Sequence, residues 1–262
     1  MIRFDDQVVL VTGAGGGLGA AYARAFAERG ASVVVHDAGL ALDGSGGDRA
    51  VADVLVAELG GNAVASYEDL RSADACHALV ARTLDELGRL DAVVHNAGLL
   101  VFEPLEDADR SWEAVRQTSL DAAFHITRAA WPAMKEHQYG RLVFTTSSRA
   151  MHLKESVSGL AAYAASRMGA FGLMLAVAAE GAAYGIRANA VSPVAKTRTS
   201  TRQVESGELA PELVAPAVLY LASESCDASG LVVHAEAGRF HSVGWADGPQ
   251  LAFETEGVTA VR

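Results

Sequence analysis

Two spacings in this chain could do chemistry. Tyr163 and Arg167 stand four residues apart in Ala161–Ala183, a stretch with helical spacing, and positions i and i+4 share a helix face. The pairing sets a permanent cation beside a phenol. A free phenol, with a pKa of about 10, holds its proton too tightly to act as a base near neutrality, and a neighbouring cation favours the phenolate. Such a pair can take a proton from an alcohol or return one to a carbonyl oxygen. The plainer alternative is an aromatic lining the core of an Ala-rich helix. The second spacing is Thr12-Gly13-Ala14-Gly15-Gly16-Gly17-Leu18-Gly19, which follows an apolar run and opens a helical pattern. Glycines there let the backbone turn tightly and bring helix N–H groups against a pyrophosphate. Gly13, Gly17 and Gly19 shape that turn around Leu18. Asp37 follows the next apolar run. A carboxylate at that place accepts hydrogen bonds from the adenosine ribose hydroxyls and repels a 2′-phosphate, which favours NAD(H) over NADP(H). A surface aspartate capping the following loop is the alternative.

Positioning these residues requires a scaffold, and its elements are legible. Short apolar runs at Val8–Val11, Ser32–His36, Ala63–Ser66, Ala92–His95, Leu142–Thr145, Arg187–Val191 and Leu231–His234 lack polar alternation. That is the pattern of strands buried on both faces of a parallel sheet. Helical patterns lie between them at Ala20–Arg29 (closed by Gly30), Arg49–Leu59, Ala73–Leu87, Trp112–Glu136, Ala161–Ala183 and Pro211–Ala222. Repeated strand–helix–strand units imply right-handed crossovers. The expected fold is α/β: one Rossmann-type, doubly wound parallel sheet of about seven strands with helices on both faces. No repeat, low-complexity tract or Pro/Ser-rich linker divides it, so residues 1–262 read as a single domain.

Composition narrows the partners. The chain has 21 Lys+Arg against 32 Asp+Glu, a formal net charge of −11, and half of its residues are hydrophobic. That is a well-cored chain, and its acidity argues against nucleic acid. Cys76 and Cys226 are too few for a disulfide scaffold, which points to a reducing cytoplasm. The N-terminus lacks the charged and apolar regions of a signal peptide, and the C-terminus matches no lipidation or peroxisomal signal. The apolar stretch from Phe171 to Ala179 reads as too short to span a bilayer, so no membrane partner is expected. Eight scattered histidines show no His-Glu-x-x-His or clustered spacing, and no metal site is expected.

Taken together, several motifs are similar to one family. Thr12-Gly13-x-x-x-Gly17-x-Gly19 resembles the cofactor turn of short-chain dehydrogenase/reductases, and His95-Asn96-Ala97-Gly98 resembles their Asn-Asn-Ala-Gly element. Tyr163 and Arg167 sit where the family has Tyr-x-x-x-Lys. Asn189-Ala190-Val191-Ser192-Pro193 resembles the segment that closes over the nicotinamide. Phe4–Gly15, Ala25–Gly30, Thr127–Trp131, Pro211–Pro216 and Ser223–Cys226 look like the (3R)-hydroxyacyl-CoA dehydrogenase subgroup, as does the Gly/Asp-rich stretch Asp43–Asp48.

The resemblance implies an NAD(H)-dependent oxidoreductase acting on a secondary alcohol or ketone. The substrate it suggests is a small molecule such as a 3-hydroxyacyl thioester. It makes Tyr163 the acid/base and Arg167 its electrostatic partner, and it makes Ser147 the anchor of the substrate oxygen, with Ser148 as the alternative. Asn96, Ala97, Gly98 and Pro193 would flank the cofactor, and Glu68 or Asp69 would hold the adenine end. The basic residues Arg149, Lys154, Lys196, Arg198 and Arg202 could meet coenzyme A phosphates or form a solvated rim. A homodimer or homotetramer is implied through the Trp112–Glu136 and Ala161–Ala183 helices.

Four departures stand out. Arg167 replaces lysine, and Ser119 stands at the place of a catalytic asparagine. The loop from Ser147 to Tyr163 is long, and Val194 follows Pro193 where glycine is usual. Arginine keeps the charge without a compact ammonium, and a hydroxyl lacks the amide's combined donors and acceptor. Two readings therefore stay open: a dehydrogenase with an altered proton path, or a relative that binds a ligand or catalyses a non-redox step such as cyclisation or dehydration.

Overall fold

The computed structural model describes residues 2–41, 44–152, 157–197 and 207–245. Eight strands form one sheet in the order β3-β2-β1-β4-β5-β6-β7-β8. They are β1 (Val8–Thr12), β2 (Ser32–His36), β3 (Ala63–Ser66), β4 (Ala92–His95), β5 (Gly140–Thr145), β6 (Ile186–Val194), β7 (Val232–Glu236) and β8 (Arg239–Val243). The first seven run parallel, as their apolar runs require. The eighth is an addition that the sequence pattern did not reveal. It pairs antiparallel with β7, and its residues are almost all exposed, so it lacks the apolar run that marks a buried strand. Ala237 and Gly238, at φ 50° and 72°, make the two-residue turn that joins the pair.

Helices cover both faces: α1 (Gly17–Ala27), α2 (Ala50–Leu59), α3 (Ala73–Leu87), α4 (Asp109–Arg116), α5 (Ala122–His137), α6 (Ser148–Met151), α7 (Ala161–Gly181) and α8 (Ala215–Ala222). Alternate strand residues feed two cores. Val9, Val11, Val33 and Val35 pack with Tyr22 and Phe26 of α1 and Leu221 of α8. Val8, Leu10 and Val34 pack with Leu79 of α3, Ile126 and Met134 of α5, and Met174 of α7. Each such side chain contributes about 1.5–3 kcal/mol over staying exposed.

Two expectations for the long helices change in detail. Trp112–Glu136 is helical, but α4 and α5 are joined by a π turn at Gln117–Asp121 that turns Thr118 and Ser119 into the interior. The Ala161–Tyr184 helix as a whole is long and apolar enough to cross a membrane by composition alone. Here it packs on β5 and β6 and buries Arg167.

The chain order reverses beside β1. Its C-terminal residue Thr12 sits in register with His36 of β2 and His95 of β4. Loops leaving these strand ends diverge and open a crevice, which is where ligands bind in folds of this kind.

Candidate active site

The crevice is a cleft of about 900 Å³. Its floor at one end is the turn from β1 into α1. Gly13 and Gly17 take φ values of 65° and 53°, a region that side chains disfavour. Gly19 is demanded by space: a Cβ there would lie 2.0 Å from the Gly13 carbonyl oxygen. Gly16 caps α1 without a capping side chain, and no acid occupies the first turn, so the electropositive end of the helix opens on the cleft.

Asp37 reaches this turn from the end of β2. One carboxylate oxygen accepts from Gly15 N at 2.9 Å and the other from Gly39 N at 2.8 Å. The half-buried carboxylate is thereby fixed on the cleft wall. The sequence left Glu68 and Asp69 as alternatives for the far end, and the structure separates them. Asp69 lines the cleft, held below the usual carboxylate range by the Arg71 guanidinium. Glu68 does not line it; its carboxylate accepts from Ser66 Oγ and pairs with Arg82 at 3.3 Å.

Asn96 ties the turn to β4. Its Nδ2 donates to Thr12 O at 3.2 Å and Gly13 O at 3.0 Å. Beneath lies a chain of hydrogen bonds that the sequence reading missed. Asn96 N and Ala97 N donate to Thr12 Oγ1 at 3.1 and 3.0 Å. His95 Nδ1 lies 3.2 Å from Thr12 Oγ1, and its Nε2 lies 3.2 Å from Ser119 O. A carbonyl only accepts, so Nε2 carries the proton and Nδ1 accepts from the threonine hydroxyl. Burial, reinforced by the Arg167 charge, pushes the His95 pKa down to about 3, which keeps the ring neutral. His36 is likewise pushed down by burial. No motif could have revealed this chain, because Thr12 and His95 become neighbours only when β1 and β4 pair.

The other end of the cleft gathers three of the four residues expected to be catalytic. Ser147, Tyr163 and Arg167 all line it, with Ala97, Gly98, Pro193 and Val194. Ser147 is the N-cap of the one-turn helix α6, its Oγ accepting from Arg149 N at 3.3 Å. The half-buried ring of Tyr163 lies 5.5 Å from Arg167 Cζ. Arg167 is 5% exposed; Nη1 donates to Thr145 O at 3.1 Å, and Nε has no hydrogen-bond partner.

Ser119 is different. It is fully buried, its Oγ has no partner, and it lies behind the cleft wall instead of on it. Of the basic residues considered, Arg149 lines the cleft and Lys196 is exposed away from the lining. Lys154, Arg198 and Arg202 lie outside the described residues. The remaining wall was not foreseen: Leu99, Leu100, Leu209, His234 and Glu236 converge from three distant parts of the chain.

The family model described as short chain dehydrogenase matches residues 7–208. The chain is 42% identical over 253 residues to the peroxisomal multifunctional enzyme type 2 of Mus musculus, covering 93% of this chain but 33% of that protein. It thus spans about a third of the length of that relative. It is 43% identical over 232 residues to a short-chain type dehydrogenase/reductase of Mycobacterium tuberculosis, covering 85% of this chain and 79% of that one. The crystal structure of a short chain dehydrogenase from Mycobacterium avium superposes with a TM-score of 0.83 at 36% identity, over 97% of this chain and 90% of that chain.

Proposed function

The chain belongs to the short-chain dehydrogenase family, and from that premise we propose that it is an NAD(H)-dependent oxidoreductase interconverting a secondary alcohol and a ketone. One observation carries the reading: Ser147, Tyr163 and Arg167 share the wall of a cleft whose other end is a glycine turn built for a pyrophosphate. The residues fit a nicotinamide dinucleotide. The open first turn of α1 would take the pyrophosphate, and Asp37 would take the ribose hydroxyls and reject a 2′-phosphate. When bound, the nicotinamide supplies the hydride donor or acceptor.

The chain's own groups handle the proton. Ser147 Oγ holds the substrate oxygen against the Tyr163 hydroxyl. In the oxidising direction the Tyr163 oxygen accepts the proton of the alcohol, and in the reducing direction it donates one to the carbonyl. The Arg167 guanidinium stabilises the charge left on the ring while the proton is away.

Resemblance to the (3R)-hydroxyacyl-CoA dehydrogenase subgroup makes a 3-hydroxyacyl thioester the leading substrate. The apolar Leu99, Leu100 and Leu209 suit an acyl chain, and Arg149 suits a nearby anionic group. A homodimer or homotetramer in the cytoplasm completes the reading. Trp112, Phe124 and Leu175, on the outer faces of α4, α5 and α7, are 46%, 46% and 43% exposed, which suits a subunit interface. Both cysteines are free, which suits a reducing compartment.

The competing reading is a relative without redox turnover, and the sealed position of Ser119 favours it. Nicotinamide absorbance with a panel of hydroxyacyl and ketoacyl thioesters decides between them. Turnover with NAD(H) over NADP(H), with the preference weakened about tenfold or more by Asp37→Ser, is the expected result. Nucleotide binding without turnover on any member would favour the second reading.

A further inference from the structure

Gly98 follows β4, and its φ lies outside the left-handed region, so no left-handed φ calls for a glycine there. Space alone demands the glycine. A Cβ at this position would stand 2.2 Å from Arg167 Nη2, 2.9 Å from Arg167 Cζ and 2.8 Å from Ser119 Oγ. The three nearest atoms are thus side-chain atoms of two of the residues that depart from the family's pattern. An exposed arginine would swing away from such a Cβ. This one cannot do so freely, because it is 5% exposed and its Nη1 is bound to Thr145 O.

Ser119 is fixed from the opposite side. The π turn faces it inward, and its carbonyl accepts from His95 Nε2. Its Oγ has no hydrogen-bond partner, so the hydroxyl matters here through its size. An asparagine side chain reaches one bond further from the same Cβ, toward the volume the guanidinium fills.

We infer that Gly98, Ser119 and Arg167 form one fitted seat, in which the small residues at 98 and 119 hold the guanidinium level with the Tyr163 ring. Ser119 is then a positioning residue and not a member of the proton path. The two departures, arginine at 167 and serine at 119, are a single compensated exchange: the larger cation requires the smaller neighbour. The part of this inference that concerns Tyr163 rests on the function proposed above, whereas the seat itself does not.

The test uses the full chain, labelled with ¹⁵N, and follows the Arg167 Nε–H resonance, assigned by its loss in Arg167→Lys. NADH affinity is measured alongside by fluorescence. Ser119→Ala should keep the resonance, because it empties no hydrogen bond and adds no bulk. Ser119→Asn and Gly98→Ala should each displace or abolish it and weaken NADH binding about tenfold. The double variant Ser119→Asn with Arg167→Lys should recover wild-type NADH affinity to within about threefold. An unchanged resonance in both Ser119→Asn and Gly98→Ala would overturn the seat, as would additive losses in the double variant. If Ser119→Asn does not fold, Gly98→Ala alone decides the first point. Wild-type protein with no affinity for NADH would sink the functional reading, while the resonance would still decide whether the seat exists.

Discussion

Two buried arginines, each 5% exposed, lie toward opposite ends of strand β5, and they are used differently. Arg141 lies near the strand's start. Its Nε donates to Ser223 O at 3.1 Å, and its Nη1 donates to Gly140 O at 2.9 Å and Gly185 O at 3.0 Å. Its Cζ lies 4.3 Å from the centroid of the Tyr139 ring. Arg167 meets the strand's other end through one bond to Thr145 O, keeps an unpartnered Nε, and stands 5.5 Å from the Tyr163 ring. Neither has a carboxylate within ion-pair distance among the described residues. The lesson is in the hydrogen bonds. A buried cation that ties three carbonyls together is a structural rivet. One that closes a single bond and faces a cleft retains capacity for a ligand.

The sharpest way to break this comparison is at the two tyrosines. Tyr163→Phe should lower turnover about a thousandfold while leaving the thermal midpoint nearly unchanged, since only a hydroxyl facing the cleft is lost. Tyr139→Phe should leave turnover intact. Steady-state rates and a melting curve on each variant check this, and equal losses of turnover in both would erase the distinction.

Next in size is Arg141→Met, which leaves three carbonyls without their donor. Urea unfolding should show a loss of about 3 kcal/mol, with turnover per folded molecule preserved.

The pH dependence sharpens the contrast further. His36 and His95 lie at the carboxyl ends of β2 and β4, His95 within the influence of Arg167, and burial keeps both neutral in the fold near neutral pH. The unfolded chain takes up protons at these residues near pH 6.5, and the folded protein does so only at lower pH. Stability from this source is therefore complete above about pH 7, falls as pH drops below about 6.5, and stops falling for His95 only near its folded value of about 3. Denaturant titrations between pH 7 and pH 4.5 should show a loss on the order of 2 kcal/mol, part of which His95→Asn removes. A flat profile would mean that the two rings take up protons as readily in the fold as in the unfolded chain.

The smallest expected effect on stability is that of Arg167→Met. Replacing an incompletely bonded buried cation with an apolar chain should leave stability unchanged or raise it by about 1 kcal/mol, although turnover collapses. A loss as large as that of Arg141→Met would make the two arginines equivalent.

Much of this was legible in the residues. The seven parallel strands read as apolar runs because a strand covered on both faces has no polar side to display. The tight glycine turn and the place of Asp37 on the cleft wall were legible because both depend on local geometry at a strand end. Strand β8 did not, since an exposed edge strand has no hydrophobic signature. The π turn was also hidden: one extra residue per turn leaves no mark in an apolar helical pattern. Glu68 and Asp69 differ by one position, and only the path of the chain after β3 decides which carboxylate meets Arg82 and which faces the cleft.

What the sequence by itself determined is the set of groups with a chemistry and the elements that carry them: phenol and guanidinium one helical turn apart, a glycine turn, and alternating strands and helices. Those follow from bond geometry and solvent exclusion over a few residues at a time. The tertiary structure decided which groups meet. It set Thr12 beside His95, sealed Ser119 behind the wall, and brought Gly98 against Arg167. The reason is physical: such contacts join segments far apart in the chain, and they exist only after the strands pair and the two cores close.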